Sequence, residues 1–103
     1  MLITISIPTI SIADKQFLTA AVEQSGADVS VVCVSDGVYA PTIESTFFEK
    51  LTNNSKEESP FKLAFVDSDA SSRGARLPEN ATPITSREFA ALSAKHTHWV
   101  TLS

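Results

Sequence analysis

The hydrophobic pattern predicts a small α/β domain of three layers, α/β/α, with a mainly parallel sheet of about five strands. Three observations carry that reading. Val29–Val34 is a mostly apolar, β-branched run of the kind buried on both faces of a parallel sheet. The run breaks at Ser35-Asp36-Gly37, where polar residues and glycine suit a turn. Segments with helical spacing then alternate with strand-like runs along the chain. In an open sheet of this type, the turn after Val34 sits at the carboxyl edge, where ligands and partners dock.

Residues 2–7 alternate as a strand does, and Pro8 ends the run. Asp14 reads as the N-cap of a first helix. Phe17, Leu18, Ala21 and Val22 share one face of it, and Gly26 stops it. Val29–Val34 is the second strand. A second helix covers Thr42–Leu51, with Ile43, Phe47 and Leu51 four apart. Thr52–Pro60 is polar and reads as a solvated loop. Phe61–Val66 is the third strand, with Asp67 and Asp69 just beyond it.

Ser68–Arg73 then forms a short helix stopped by Gly74. Pro78 and Pro83 limit the fourth strand to a short piece at Pro83–Thr85. Thr85-Ser86-Arg87-Glu88 has capping-box spacing and opens a helix through Lys95 that buries Phe89, Ala90 and Leu92. Trp99–Leu102 is the last strand. Strand order does not follow from the sequence.

The 103 residues, 43% of them hydrophobic, support one domain over 1–103 with a modest core. The apolar runs fall short of the roughly 20 residues that span a bilayer, so no membrane contact is expected. Met1–Ile7 has no basic residues before its apolar ones and reads as a strand rather than a secretion signal. A net charge of −4 lacks the basic footprint of a direct nucleic-acid binder, so contact with RNA would run through a partner. The one cysteine, Cys33, cannot form an internal disulfide, which fits a cytoplasmic location.

Few residues carry chemistry. Cys33 is the one possible sulfur nucleophile, but it lies inside the apolar strand, where a thiol behaves as a small hydrophobe with a raised pKa. Asp36, Asp67 and Asp69 fall at the carboxyl ends of strands, where clustered carboxylates could bind Mg²⁺. Phospho-acceptor domains of receiver type use a similar cluster. They place an acidic pair after the first strand, where this chain has Ile7-Pro8-Thr9. The plainer reading of the three aspartates is as turn and cap residues. His96 and His98 are too few for a zinc site, and His96 suits a helix C-terminus. Three well-separated glycines make no phosphate loop. No cofactor is expected.

Stretches of the chain are, in order, similar to one family. They are Met1-Leu2, the apolar strand followed by Asp36-Gly37-Val38-Tyr39-Ala40, and Phe48-Glu49-Lys50-Leu51. Asp69 to Arg73-Gly74, Ile84 to Phe89, and Ala91-Leu92-Ser93-Ala94-Lys95-His96 follow. Together they resemble the DsrH/TusB family of small sulfur-relay subunits. The resemblance implies a DsrE-like α/β/α fold. It also implies DsrE-like and DsrF-like (TusD-like and TusC-like) partner subunits, in a heterohexamer with two copies each of three related chains. That assembly passes persulfide sulfur towards 2-thiouridine at the tRNA wobble position, and its central relay cysteine lies on another subunit. A related branch serves sulfur oxidation, and its members carry a cysteine in or near the first helix.

This chain departs from the pattern in three places. It has no cysteine between Ala13 and Gly26, a longer polar segment at 52–60, and Trp99 closer to Lys95-His96 than the family's terminal tryptophan. The leading expectation is a non-catalytic subunit of a sulfur-relay complex, more accessory than catalyst. The alternatives are a persulfide carrier using Cys33 and a small-ligand or Mg²⁺-binding domain using the aspartates.

Asp36, Gly37, Val38, Tyr39, Phe48 and Trp99 are the candidates for a subunit contact or the relay edge. Asp36 and Gly37 are expected to form a turn in which glycine supplies a positive φ. Phe47 and Phe48 are adjacent on one helix and point about 100° apart, so one of them is expected to meet another subunit. A homo-oligomer is expected when the chain is made alone.

Overall fold

The computed structural model describes residues 2–24, 29–54, 61–77, 81–95 and 99–102. Five strands form one sheet: β1 (Leu2–Ile5), β2 (Val29–Cys33), β3 (Phe61–Val66), β4 (Thr82–Ile84) and β5 (Trp99–Leu102). Their spatial order is β4-β3-β2-β1-β5, and every pairing is parallel. The helices are α1 (Ile12–Gln24), α2 (Ala40–Ile43), α3 (Ser45–Asn54), α4 (Asp67–Arg73) and α5 (Ser86–Lys95). A 3₁₀ turn spans Ser35–Tyr39. The predicted fold class is the observed one, a small α/β domain with helices flanking a parallel sheet.

The order explains the layers. From β1 to β4 the chain steps in one direction across the sheet. Right-handed crossovers therefore place α1, α3 and α4 on one face. The return from β4 to β5, beyond β1, reverses direction and puts α5 on the other. Burial follows this division. Ile3 and Ile5 of β1 join Val29, Val31, Cys33, Leu63 and Phe65 under the larger helical layer, with Leu18, Val22, Phe48 and Leu51 packed on them. Leu2, Val32, Val66 and Ile84 point the other way, towards Phe89 and Leu92 of α5. All five β2 residues are buried, as expected of the central strand. β4 is an edge strand, which tolerates Pro83 in its middle.

Several local expectations are corrected. The first helix begins at Ile12, because the Ser11 hydroxyl accepts the Asp14 N–H at 3.1 Å; Asp14 is in the first turn and is not the cap. The second helix is two pieces, broken at Glu44, whose φ of −108° and ψ of 33° leave the helical region. Thr52 and Asn53, read as loop, continue α3 to Asn54. Residues 55–60, Gly26, Pro78, His96 and His98 lie outside the described residues. Helix α4 starts at Asp67 and ends, as expected, at Gly74, with φ 62°. The fourth strand starts at Thr82 and not at Pro83. In α5 no residue is fully buried: Phe89 and Leu92 are half-buried and Ala90 is exposed. Its capping box forms as expected. Thr85 N–H donates to Glu88 Oε1 and Glu88 N–H to Thr85 Oγ1, each at 3.1 Å.

Candidate functional site at the carboxyl edge

Where β2 ends, the chain cannot continue straight. Val34 N–H bonds the Ile5 carbonyl of β1 at 2.9 Å, and Ser35 then takes a positive φ of 49°. That conformation is uncommon for a residue with a side chain and concentrates at functional segments. The Ser35 N–H donates to Asp69 Oδ2 at 2.9 Å, which ties the strained residue to α4. Gly37 N–H closes the 3₁₀ turn on the Val34 carbonyl at 2.8 Å.

The expected role of Gly37 is corrected here. Its φ is not positive. It is a glycine because a Cβ would lie 2.0 Å from the Ile5 carbonyl oxygen. The turn packs directly on the end of β1, and only a residue without a side chain allows that approach. Asp36 and Gly37 therefore lie in a 3₁₀ turn, not a glycine-inverted one.

Arg73 organises the rest. Its Nε donates to Asp36 Oδ1 at 3.1 Å, and a terminal nitrogen donates to the Asp69 carbonyl at 3.3 Å, 4.0 Å from Asp69 Oδ1. Tyr39 Oη donates to the Arg73 carbonyl at 3.0 Å, and Thr42 Oγ1 donates to the Arg76 carbonyl. The turn, α2 and the end of α4 thus form one connected edge. The sequence brought Asp36, Tyr39 and Asp69 into view. It did not single out Arg73 or Ser35 as members, although the four-residue step from Asp69 to Arg73 is a visible helical pair.

The Mg²⁺ reading of the aspartates is corrected by this arrangement. Arg73 is the cation for Asp36 and Asp69, and a backbone N–H also engages Asp69. Asp67 is exposed in the first turn of α4, where negative charge complements the helix dipole. Among the described residues, no three His, Cys, Asp or Glu side chains are grouped to hold a metal ion.

Cys33 lies beside this edge without joining it. Its side chain points into the larger core and is 0% exposed. Burial pushes its thiol up from 9.0 to about 12. Too little thiolate exists near neutral pH for nucleophilic sulfur chemistry, and solvent has no route to it.

Of the interface candidates, Val38 and Phe48 are corrected: both are 0% exposed and belong to this chain's own core. Phe48 stacks on Phe61, with ring centroids 6.4 Å apart. Gly37 is buried against β1. Asp36 is exposed, Tyr39 is half-buried and Trp99 is 63% exposed. Ile12 and Ile43, which sequence reasoning did not select, are also strongly exposed.

No curated protein matches the chain. A family model described as "DsrH like protein" matches residues 11–99 and so takes in β2, the 3₁₀ turn and all five helices. With a parallel α/β sheet and a match over most of its length, the chain belongs to the DsrH-like family, within the DsrE/DsrF/DsrH superfamily of sulfur-relay proteins.

Proposed function

We propose that this chain is a non-catalytic subunit of a cytoplasmic sulfur-relay assembly that supports 2-thiouridine formation at the tRNA wobble position. Related DsrE-like and DsrF-like (TusD-like and TusC-like) chains are its partners. One observation carries the non-catalytic part: the only cysteine of a relay-family chain is sealed in the core, with its thiol pushed up to about 12. The transferred sulfur then rides on a partner's cysteine. This chain contributes a shaped edge, held by Arg73, beside which that cysteine works.

The test is complementation. In cells lacking the gene, 2-thiouridine in bulk tRNA should fall, and the Cys33→Ala chain should restore it as well as the wild type does. Unchanged 2-thiouridine on deletion would remove the tRNA reading and favour the sulfur-oxidation branch. Loss of restoration by a folded, assembled Cys33→Ala chain would make Cys33 the carrier.

A further inference from the structure

We propose that the groove between the start of α1 and the α2–α3 junction docks a partner subunit, through a segment in which a large apolar side chain sits beside a carboxylate. The proposal rests on the relay-subunit reading and names the surface and chemistry of the contact. The groove encloses about 390 Å³ and is lined by Lys15, Ile43, Glu44, Thr46, Phe47 and Lys50. Ile43, on its wall, is 54% exposed, and Ile12, one turn before Lys15 on α1, is 76% exposed. These are two of the three large exposed hydrophobics among the described residues. Within the groove, Ile43 and the half-buried Phe47 form an apolar wall, a surface that marks a contact more than an isolated residue does.

Charge indicates what fills it. Glu44 is largely shielded and already committed: its Oε2 lies 3.0 Å from Lys15 Nζ and accepts the Ile10 N–H at 3.3 Å. This holds the Lys15 ammonium 5.7 Å from the centre of the Phe47 ring. Among the described residues, Lys50 has no carboxylate within ion-pair distance. Two lysines against one neutralised glutamate leave the groove positive on a chain whose net charge is −4. Its complement is an apolar anchor against Ile43 and Phe47 with an acidic group for Lys50. A polyanion such as tRNA would meet the lysines but leave Ile12 and Ile43 unburied, against the repulsion of the whole chain. Because α2 runs straight on from the 3₁₀ turn, a subunit seated here lies next to the Arg73 edge.

The experiment uses the tagged full chain in its native cells, with recovered subunits identified by mass spectrometry. Ile43→Asp and Lys50→Glu should each lower recovery of the related subunits at least tenfold. Lys95→Glu, exposed on α5 across the sheet, should leave recovery unchanged. Raising salt from about 0.1 to about 0.5 M should weaken the wild-type contact more than that of Lys50→Glu. Circular dichroism should show both groove variants folded, since both side chains are exposed. Recovery undiminished by both groove variants would overturn the groove and leave the relay reading standing. Failure of the wild type to recover any related subunit would overturn both. If the variants instead released tRNA, or a second copy of this chain, while the related subunits stayed bound, the assigned occupant would be wrong.

Discussion

Gly37 and Gly74 are glycines for opposite reasons, and their variants should separate accordingly. A Cβ on Gly37 would collide with the Ile5 backbone, which cannot swing aside as a side chain does. Gly37→Ala is expected to destabilise by about 3 kcal/mol or more, the upper end of overpacking, seen as a lower urea midpoint. Gly74 has open space around it but a φ of 62°, so Gly74→Ala should cost only about 1–2 kcal/mol of left-handed strain. Equal losses at the two sites would contradict this assignment. Cys33 gives a pH signature. Below pH 9 both folded and unfolded states keep the thiol protonated, and it adds no pH dependence. Between 9.0 and about 12 the unfolded chain ionises first, so stability drains as pH rises. Over the full span the loss is on the order of 4 kcal/mol. Cys33→Ala, at a packing cost of about 1 kcal/mol, should flatten that alkaline limb. Parallel wild-type and variant profiles between about pH 8 and 10.5 would refute it.

Among the elements, α5 depends most on its ends. With no fully buried residue, it gains little from packing, so Thr85→Ala should cost about 1 kcal/mol and speed amide exchange in its first turn. An unchanged exchange pattern would mean the cap contributes little. Arg73→Ala should behave differently. Its ion pair with Asp36 is well exposed and worth about 1 kcal/mol at most, so global stability should barely move. Exchange at the Ser35–Tyr39 amides should rise, because the side-chain link from Arg73 to Asp36 is lost and only the Ser35–Asp69 and Tyr39–backbone bonds still hold the turn to α4. β2, β3, β5 and the α5 capping box were legible in the sequence because period and cap chemistry are local. The start of α1 was ambiguous, because Ser11 and Asp14 both have capping side chains and only geometry shows which side-chain oxygen meets a free backbone N–H. The break at Glu44 was hidden, because Ile43, Phe47 and Leu51 keep helical spacing across it. At the site, Asp36 and Arg73 are 37 residues apart, and no local pattern pairs them. Val38 and Phe48 were recognisable as apolar residues near connections, but composition cannot tell a residue that fills its own core from one that fills a neighbour's.

Among the described residues, the large exposed hydrophobics are Ile12, Ile43 and Trp99; Trp99 was expected at a contact, and Ile12 and Ile43 join it while Val38 and Phe48 leave for the core. Made alone, the chain is expected to self-associate through them. Sedimentation velocity at micromolar concentration should show species larger than a monomer, and a strictly monomeric boundary would contradict it. Sheet order has a different kind of consequence. β1 is hydrogen-bonded on one side to β2 and on the other to β5, and the Ser6 N–H meets the Leu102 carbonyl at 3.1 Å across 96 residues. During synthesis β1 and β2 can pair early, but the other edge of β1 stays bare until Trp99–Leu102 leaves the ribosome. For that interval the nascent chain presents an apolar strand, Leu2–Ile5, as an open template for any extended segment nearby. The second edge of β1 is therefore covered only after every other strand of the sheet has been made.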